Sequence, residues 1–215
     1  MALNANALTT VANLQAWLAQ DTIATATDGR YATARCEALI NRVSSHIEAY
    51  CDRMLIAPAA AYTYTLDGDG GTMIPLYREG AWPIVAVTSV TDSATSEVIA
   101  ARTSIYGTGY TMNAAIGVIN LHGYSTTPGV QTIAVVARAG YDATTAALAT
   151  VLGRLHRRAL DDLENACLQL CSLLWHSPVP SAESVQIAGT GMAIRESAMP
   201  SRIRLMLDPY RRLTL

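Results

Sequence analysis

Between Tyr62 and Tyr141 the chain breaks into short β-rich runs, whereas on both sides its apolar residues recur every third or fourth position. This change of period constrains the fold class more than any single residue, because a period near 3.6 buries one stripe of a helix and a period of two buries one face of a strand. Helical, β-rich and helical blocks in that order predict an α+β fold. The expected form is a helical bundle with an antiparallel β-hairpin sheet and an extended C-terminal arm.

The first helix is expected over 9–20, with Val11, Leu14, Trp17 and Leu18 on one face behind a capping threonine. After a polar break from Asp21 to Arg30, a second is expected over 31–56. Its stripe is Cys36, Leu39, Ile40, Val43, Ile47, Tyr50, Cys51 and Met54, and Pro58 ends it. A third is expected over 145–176, with Leu148, Leu152, Leu155, Leu163, Ala166, Leu170 and Leu174 aligned and Gly153 placed to bend or split it. Arg154, His156, Arg157 and Arg158, followed by Asp161, Asp162 and Glu164, read as a solvated helix face laced with ion pairs.

The β-rich insert, 62–141, holds seven strand-like runs: YTYTL, TMIPL, IVAVTSV, EVIA, YTMN, GVINL and QTIAVVARAGY. Asp67-Gly68-Asp69-Gly70-Gly71 between the first two resembles a calcium loop but lacks the twelfth-position carboxylate, where Arg78 stands, and lacks flanking helices. It reads as a turn.

None of the usual catalytic or ligand-binding patterns is complete in the sequence. His46, His122, His156 and His176 lie in four separate contexts, and Gly107-Thr-Gly109 and Gly189-Thr-Gly191 are lone turns, each without the strand and helix that make a phosphate loop. Cys167 and Cys171, one helical turn apart with His176 following, could chelate a metal, but Cys36, Cys51, Cys167 and Cys171 all sit in apolar helical patterns and are expected as buried thiols. No catalytic residue, cofactor or metal site is therefore assigned. With a net charge of −2 and a pI near 6.1, the chain lacks the basic excess expected of a protein that grips phosphate backbones. Every basic side chain is arginine and phenylalanine is absent, a composition that fits a G+C-rich genome. No apolar run nears the roughly 18 residues of a membrane span and no signal-like start is present, so a soluble, non-secreted chain is expected.

Domain organisation is expected as a main domain over 1–176 and a linker with arm over 177–215, divided at Ser177-Pro178-Val179-Pro180-Ser181. The arm holds a strand-like stretch, 184–196, and then Arg202, Ile203, Arg204, Leu205, Leu207, Tyr210, Arg211 and Arg212, an arginine-plus-apolar set suited to docking on a partner. The same apolar residues also fit the stripe of a last helix folded back on its own domain.

Four stretches in order resemble the head-to-tail connector, or adaptor, family of tailed phages. They are Ile47-Glu48-Ala49-Tyr50-Cys51-Asp52-Arg53; the run from Trp82 to Val90; the succession Tyr110–Asn113, Gly117–Leu121 and Val135–Tyr141; and Asp161–Leu170, followed by Met199-Pro200 and Leu207–Arg211. The chain departs from the family in an insertion at 142–160 and in Ala137, where a tyrosine is common. The resemblance implies a non-catalytic virion protein, made in the host cytoplasm, that forms a homo-oligomeric ring, commonly of twelve subunits, beneath the portal. It implies the portal protein and a neck/stopper or tail-terminator protein as partners, DNA passing through the channel without specific binding, and no membrane; with a portal as partner, the arginine-plus-apolar set of the arm, Arg202, Ile203, Arg204, Leu205, Leu207, Tyr210, Arg211 and Arg212, is expected to be the portal-docking element. The competing reading is a β-rich binding or surface-attachment module of a virion, which should carry its aromatics on loops.

Overall fold

The computed structural model describes residues 2–21, 33–146, 149–176 and 199–212. The expected linker at 177–181, the stretch at 184–196, Gly189-Thr-Gly191 and Leu148 lie outside the described residues. The helices are α1 (Val11–Asp21), α2 (Thr33–Cys51), α3 (Ala143–Ala146), α4 (Val151–His176) and α5 (Ser201–Leu207); the strands are β1 (Tyr62–Gly68), β2 (Met73–Pro75), β3 (Ile84–Asp92), β4 (Glu97–Ile99), β5 (Gly109–Asn113), β6 (Val118–His122) and β7 (Gly129–Ala139). The fold is α+β, as the change of period predicts, and all seven strand runs are strands.

The strands do not form one sheet of hairpins. They make a four-stranded sheet in the order β1-β7-β3-β4 and a three-stranded sheet in the order β2-β6-β5, with every pairing antiparallel. The Asp67–Gly71 segment therefore carries the chain from one sheet to the other instead of closing a hairpin. Hydrogen bonds hold it in place: Asp69 Oδ1 accepts from the Gly71 N–H at 2.8 Å and from Thr126 Oγ1 at 3.1 Å. Alternation places Ile133, Val135, Ala137 and Ala139 of β7 inward, where they share a core with Tyr64, Leu66, Ile84, Val90, Ile119 and Leu121.

A second core belongs to the helices. Leu14 and Leu18 of α1, Cys36, Ile40, Val43, Ile47 and Cys51 of α2, and Ala159, Leu163, Ala166, Cys167 and Cys171 of α4 pack together. Three details differ from the sequence expectation. Helix α1 begins at Val11 rather than at 9; the capping threonine is Thr10, whose Oγ1 accepts the Asn13 N–H (3.2 Å), while Thr9 is buried and donates to Glu164 Oε1 at 2.8 Å. Helix α2 stops at Cys51 rather than running to 56, because Asp52 takes a left-handed φ of 52°; Met54 then falls off the stripe and is exposed. The third helix is split ahead of Gly153, not at it: α3 ends at Ala146, and Thr150 Oγ1 accepts the Gly153 N–H at 3.0 Å as α4 begins.

At 26 residues α4 is about 39 Å long. Its inward stripe runs through His156, Ala159, Leu163, Ala166, Cys167, Leu170 and Cys171, so Leu155, one position ahead of His156, is exposed, and Leu174 near the end of the helix is exposed too. His156 is a larger correction. Instead of sharing the solvated basic face it is 0% exposed, because it precedes Ala159 and Leu163 on the inward stripe, whereas Arg154, Arg157 and Arg158 point out. The expected ion-pair pattern is present in Arg158–Asp162, 4.0 Å apart.

Candidate assembly surface

Residues 199–212 fold back on the helical core. Met199, Ile203, Leu207 and Tyr210 are buried in the same cluster as α2 and α4, with Ile203 only 1% exposed and Leu207 fully covered. The structure divides the docking set expected from sequence: Ile203, Leu207 and Tyr210 face the chain's own core, while Arg202, Arg204, Leu205 and Arg211 are exposed and Arg212 is half-buried. A stripe at 203, 207 and 210 is helical spacing, and in this chain α4 supplies the surface it needs.

Polar contacts fix the segment further. Tyr210 Oη donates to Asp162 Oδ2 at 2.5 Å, and Tyr50 Oη donates to Asp208 Oδ1 at 2.7 Å. Burial first, and then the Asp162 carboxylate, push the Tyr210 hydroxyl well above its ordinary range; for Tyr50 the hydrogen bond to Asp208 is the main cause of a rise. The Arg212 N–H donates to Cys51 O at 2.8 Å, capping the carbonyl end of α2, and its guanidinium donates to Arg78 O and stands 3.9 Å from Asp52. Arg211 lies over the Tyr50 ring at 5.1 Å. Arg204 Nε donates to Met199 O at 2.7 Å, while Arg202 and Leu205 stand exposed, Leu205 at 72%.

Arg53 and Tyr141 join the two cores. Arg53, from the stretch Ile47–Arg53 that carries the family resemblance, is 8% exposed and stacks over Trp82 at 3.6 Å and against Tyr141 at 5.1 Å. It donates through Nη1 to Trp82 O, while its Nε and Nη2 are buried without a hydrogen-bond partner. Tyr141 in turn exchanges backbone bonds with the chain after α2: its N–H donates to Leu55 O at 2.7 Å, and Ala57 N–H donates to its carbonyl at 2.9 Å. Its ring meets His156 and Tyr210 edge-on at 5.7 Å each. Gly140 permits this approach, since at φ 117° any Cβ would stand 2.7 Å from Ala57 N. The insertion at 142–160 begins here, and α3 with the first turns of α4 occupies much of it.

All four cysteines are buried. Burial raises Cys51 to about 11, and the neighbouring Cys167 thiol, then burial, push Cys171 strongly upward, so neither is a ready thiolate. Among the described residues no group of three or more His, Cys, Asp or Glu side chains is placed to hold a metal ion. Two surface features were not singled out in the sequence: the exposed pair Ile105-Tyr106, and an apolar cleft lined by Tyr77, Trp82, Ala115, Ile116 and Val118. An Ile-Tyr pair beside a Gly-x-Gly turn was the available signal for the first; the second is assembled from distant segments.

No family model matches the chain, and no curated protein matches it. Solved structures do. The whole chain, 100% of it, aligns with 94% of a chain in the neck of an empty gene transfer agent (GTA) particle computed with C6 symmetry, at 19% identity and a TM-score of 0.52. The same shares, 100% and 94%, align with a chain in the neck of a native GTA particle computed with C12 symmetry, at 18% identity and a TM-score of 0.53. A chain in the virion of a native GTA particle matches over 100% and 94% at 16% identity and 0.53. At these identities the likeness establishes the shared fold.

Proposed function

We propose that this chain is a structural head-to-tail connector (adaptor) subunit in the neck of a tailed phage or gene transfer agent particle, without catalytic activity. The observation that carries the reading is the full-length match to GTA neck chains, with 100% of this chain and 94% of those chains covered. In this role the chain forms a homo-oligomeric ring beneath the portal, of twelve copies by analogy with the C12 neck, and extends the DNA channel. It offers a platform to a neck/stopper or tail-terminator protein. The mildly acidic balance suits DNA passage without specific binding, because few phosphates would be neutralised.

Within this reading the portal-docking surface narrows to Arg202, Arg204, Leu205 and Arg211, with Arg212 at its edge. Exposed guanidinium groups beside an exposed leucine suit a partner that offers carboxylates around an apolar pocket. Electron microscopy of the chain mixed with its portal protein tests the function. A ring of subunits on the portal is the expected image, and a portal that stays bare at saturating chain would overturn it. A β-rich surface-attachment module would instead decorate the outside of the particle.

A further inference from the structure

Strands β5 and β6 form a hairpin of five residues a side, about 14 Å long, whose two ends differ in shape. At the Gly109 end, the connection from β4 holds Ile105 and Tyr106 in solvent, 81% and 97% exposed. This tip is braced. Arg102 N–H donates to Tyr110 O (2.8 Å), Tyr110 N–H to Ala100 O (2.9 Å), Gly107 N–H to Ser104 O (3.1 Å) and Arg102 Nε to Ser104 O (2.7 Å). Gly109, at φ 129°, lets the segments close, since a Cβ there would stand 2.6 Å from Ala100 O. A braced apolar tip loses little further freedom when it docks.

The other end of the hairpin carries the cleft, about 330 Å³ in volume, lined by Tyr77, Trp82, Ala115, Ile116 and Val118. It is also fixed: Tyr77 N–H donates to Gly117 O at 3.0 Å, Ile84 N–H to Ala114 O at 2.8 Å, and the Arg53 guanidinium lies on the Trp82 ring. The volume suits one aromatic side chain.

We infer that Ile105 and Tyr106 of one copy seat in the Tyr77–Trp82–Ile116 cleft of the next copy. The inference rests on the ring reading above and gives that ring its subunit contact. Tip and cleft lie at opposite ends of one short hairpin, so a chain cannot fill its own cleft, while a neighbour placed end-on can. Two unlike ends that pair between copies make a head-to-tail contact, the kind that closes into a ring or runs on as a filament. Its size favours a second copy in an assembly over a free dimer. A buried tyrosine covers roughly 150–250 Å², well short of the roughly 800 Å² per partner of a stable pair, so the contact persists where each subunit is held on both sides.

The test places Tyr106→Cys and Ala115→Cys in the same full-length chain and oxidises it gently, both in assembled particles and as concentrated free chain. The native cysteines are buried and do not compete. A non-reducing gel should show a ladder of linked copies, while a mixture of the two single variants should stop at dimers. No ladder in either sample, dimers from Tyr106→Cys alone at the same yield, or linkage to a different protein would each overturn the inference. Microscopy of the same samples reports on the ring separately: rings without a ladder sink the contact and leave the neck reading standing, and open linked chains do the reverse. Tyr106→Asp should weaken association roughly ten- to hundredfold, and Tyr106→Phe should not.

Discussion

His156 enters the folded chain as a neutral imidazole. Its Nδ1 accepts the Asp142 N–H at 2.8 Å, so the proton sits on Nε2, which is buried without a partner, and burial holds the ring's pKa below its ordinary 6.5 despite the opposing pull of Asp142. The unfolded chain therefore binds a proton more readily than the folded one. The stability that depends on neutral His156 is complete above pH 6.5 and is lost as pH falls below it toward the folded value. Thermal midpoints measured from pH 7.5 down to 5.5 should fall, and His156→Phe should flatten the fall; a wild-type midpoint that stays level would refute the neutral buried ring. Arg53 poses the opposite case, a buried charge held by a ring face and a carbonyl. Arg53→Ala should cost about 2–4 kcal/mol in urea denaturation through the lost stacking and hydrogen bond, and Arg53→Lys should recover little because an ammonium lacks the planar fork. Neither role was legible in the sequence, where His156 sits in a run of arginines and Arg53 follows a helix end. Their settings come from tertiary neighbours, Tyr141 and Trp82, that are distant along the chain.

Elements were read from period, and period located them well while leaving register and boundaries open. The stripe in α2 placed Leu39, Ile40 and Val43 inward; Ile40 and Val43 are buried, but Leu39 is only partly so. Ile40→Ala should therefore cost about 2–5 kcal/mol and Leu39→Ala distinctly less; equal urea midpoints for the two variants would show that the register is wrong. The seven strands were legible because alternation and turn residues are local signals. Their division into two sheets was not, since pairing of β1 with β7 joins Tyr64 to Val135 across most of the insert. In α5 the sequence allowed either a docking arm or a last helix, and only the surface of α4 decides between them. Ending the chain at Met199 removes Ile203, Leu207 and Tyr210 from the core, so the thermal midpoint should drop sharply. An unchanged midpoint would mean that the segment is not part of the folded core. Tyr210→Phe, which removes only the bond to Asp162, should cost about 1.5–3 kcal/mol.

At the scale of the whole molecule the chain has two cores joined at Arg53 and Tyr141, and its C-terminal segment is both structural and partly exposed. A deletion cannot separate those two uses, because removing 200–215 would disturb the helical core whatever the segment does outside. Surface substitutions can. Arg202 and Leu205 stand in solvent, and the Arg211 guanidinium rests on the Tyr50 ring, so changing them removes little that the fold depends on. The triple change Arg202→Glu, Leu205→Ser and Arg211→Glu reverses the charge of the proposed docking surface and removes its apolar centre. A portal that offers carboxylates there would then meet like charge, which costs affinity on top of the lost contacts. The expected outcome is a thermal midpoint close to wild type together with loss of attachment to the portal in a pull-down at physiological salt. Retained attachment would remove these residues from the interface and direct the search to another exposed face, whereas a fall in midpoint would show that the surface contributes to the fold after all.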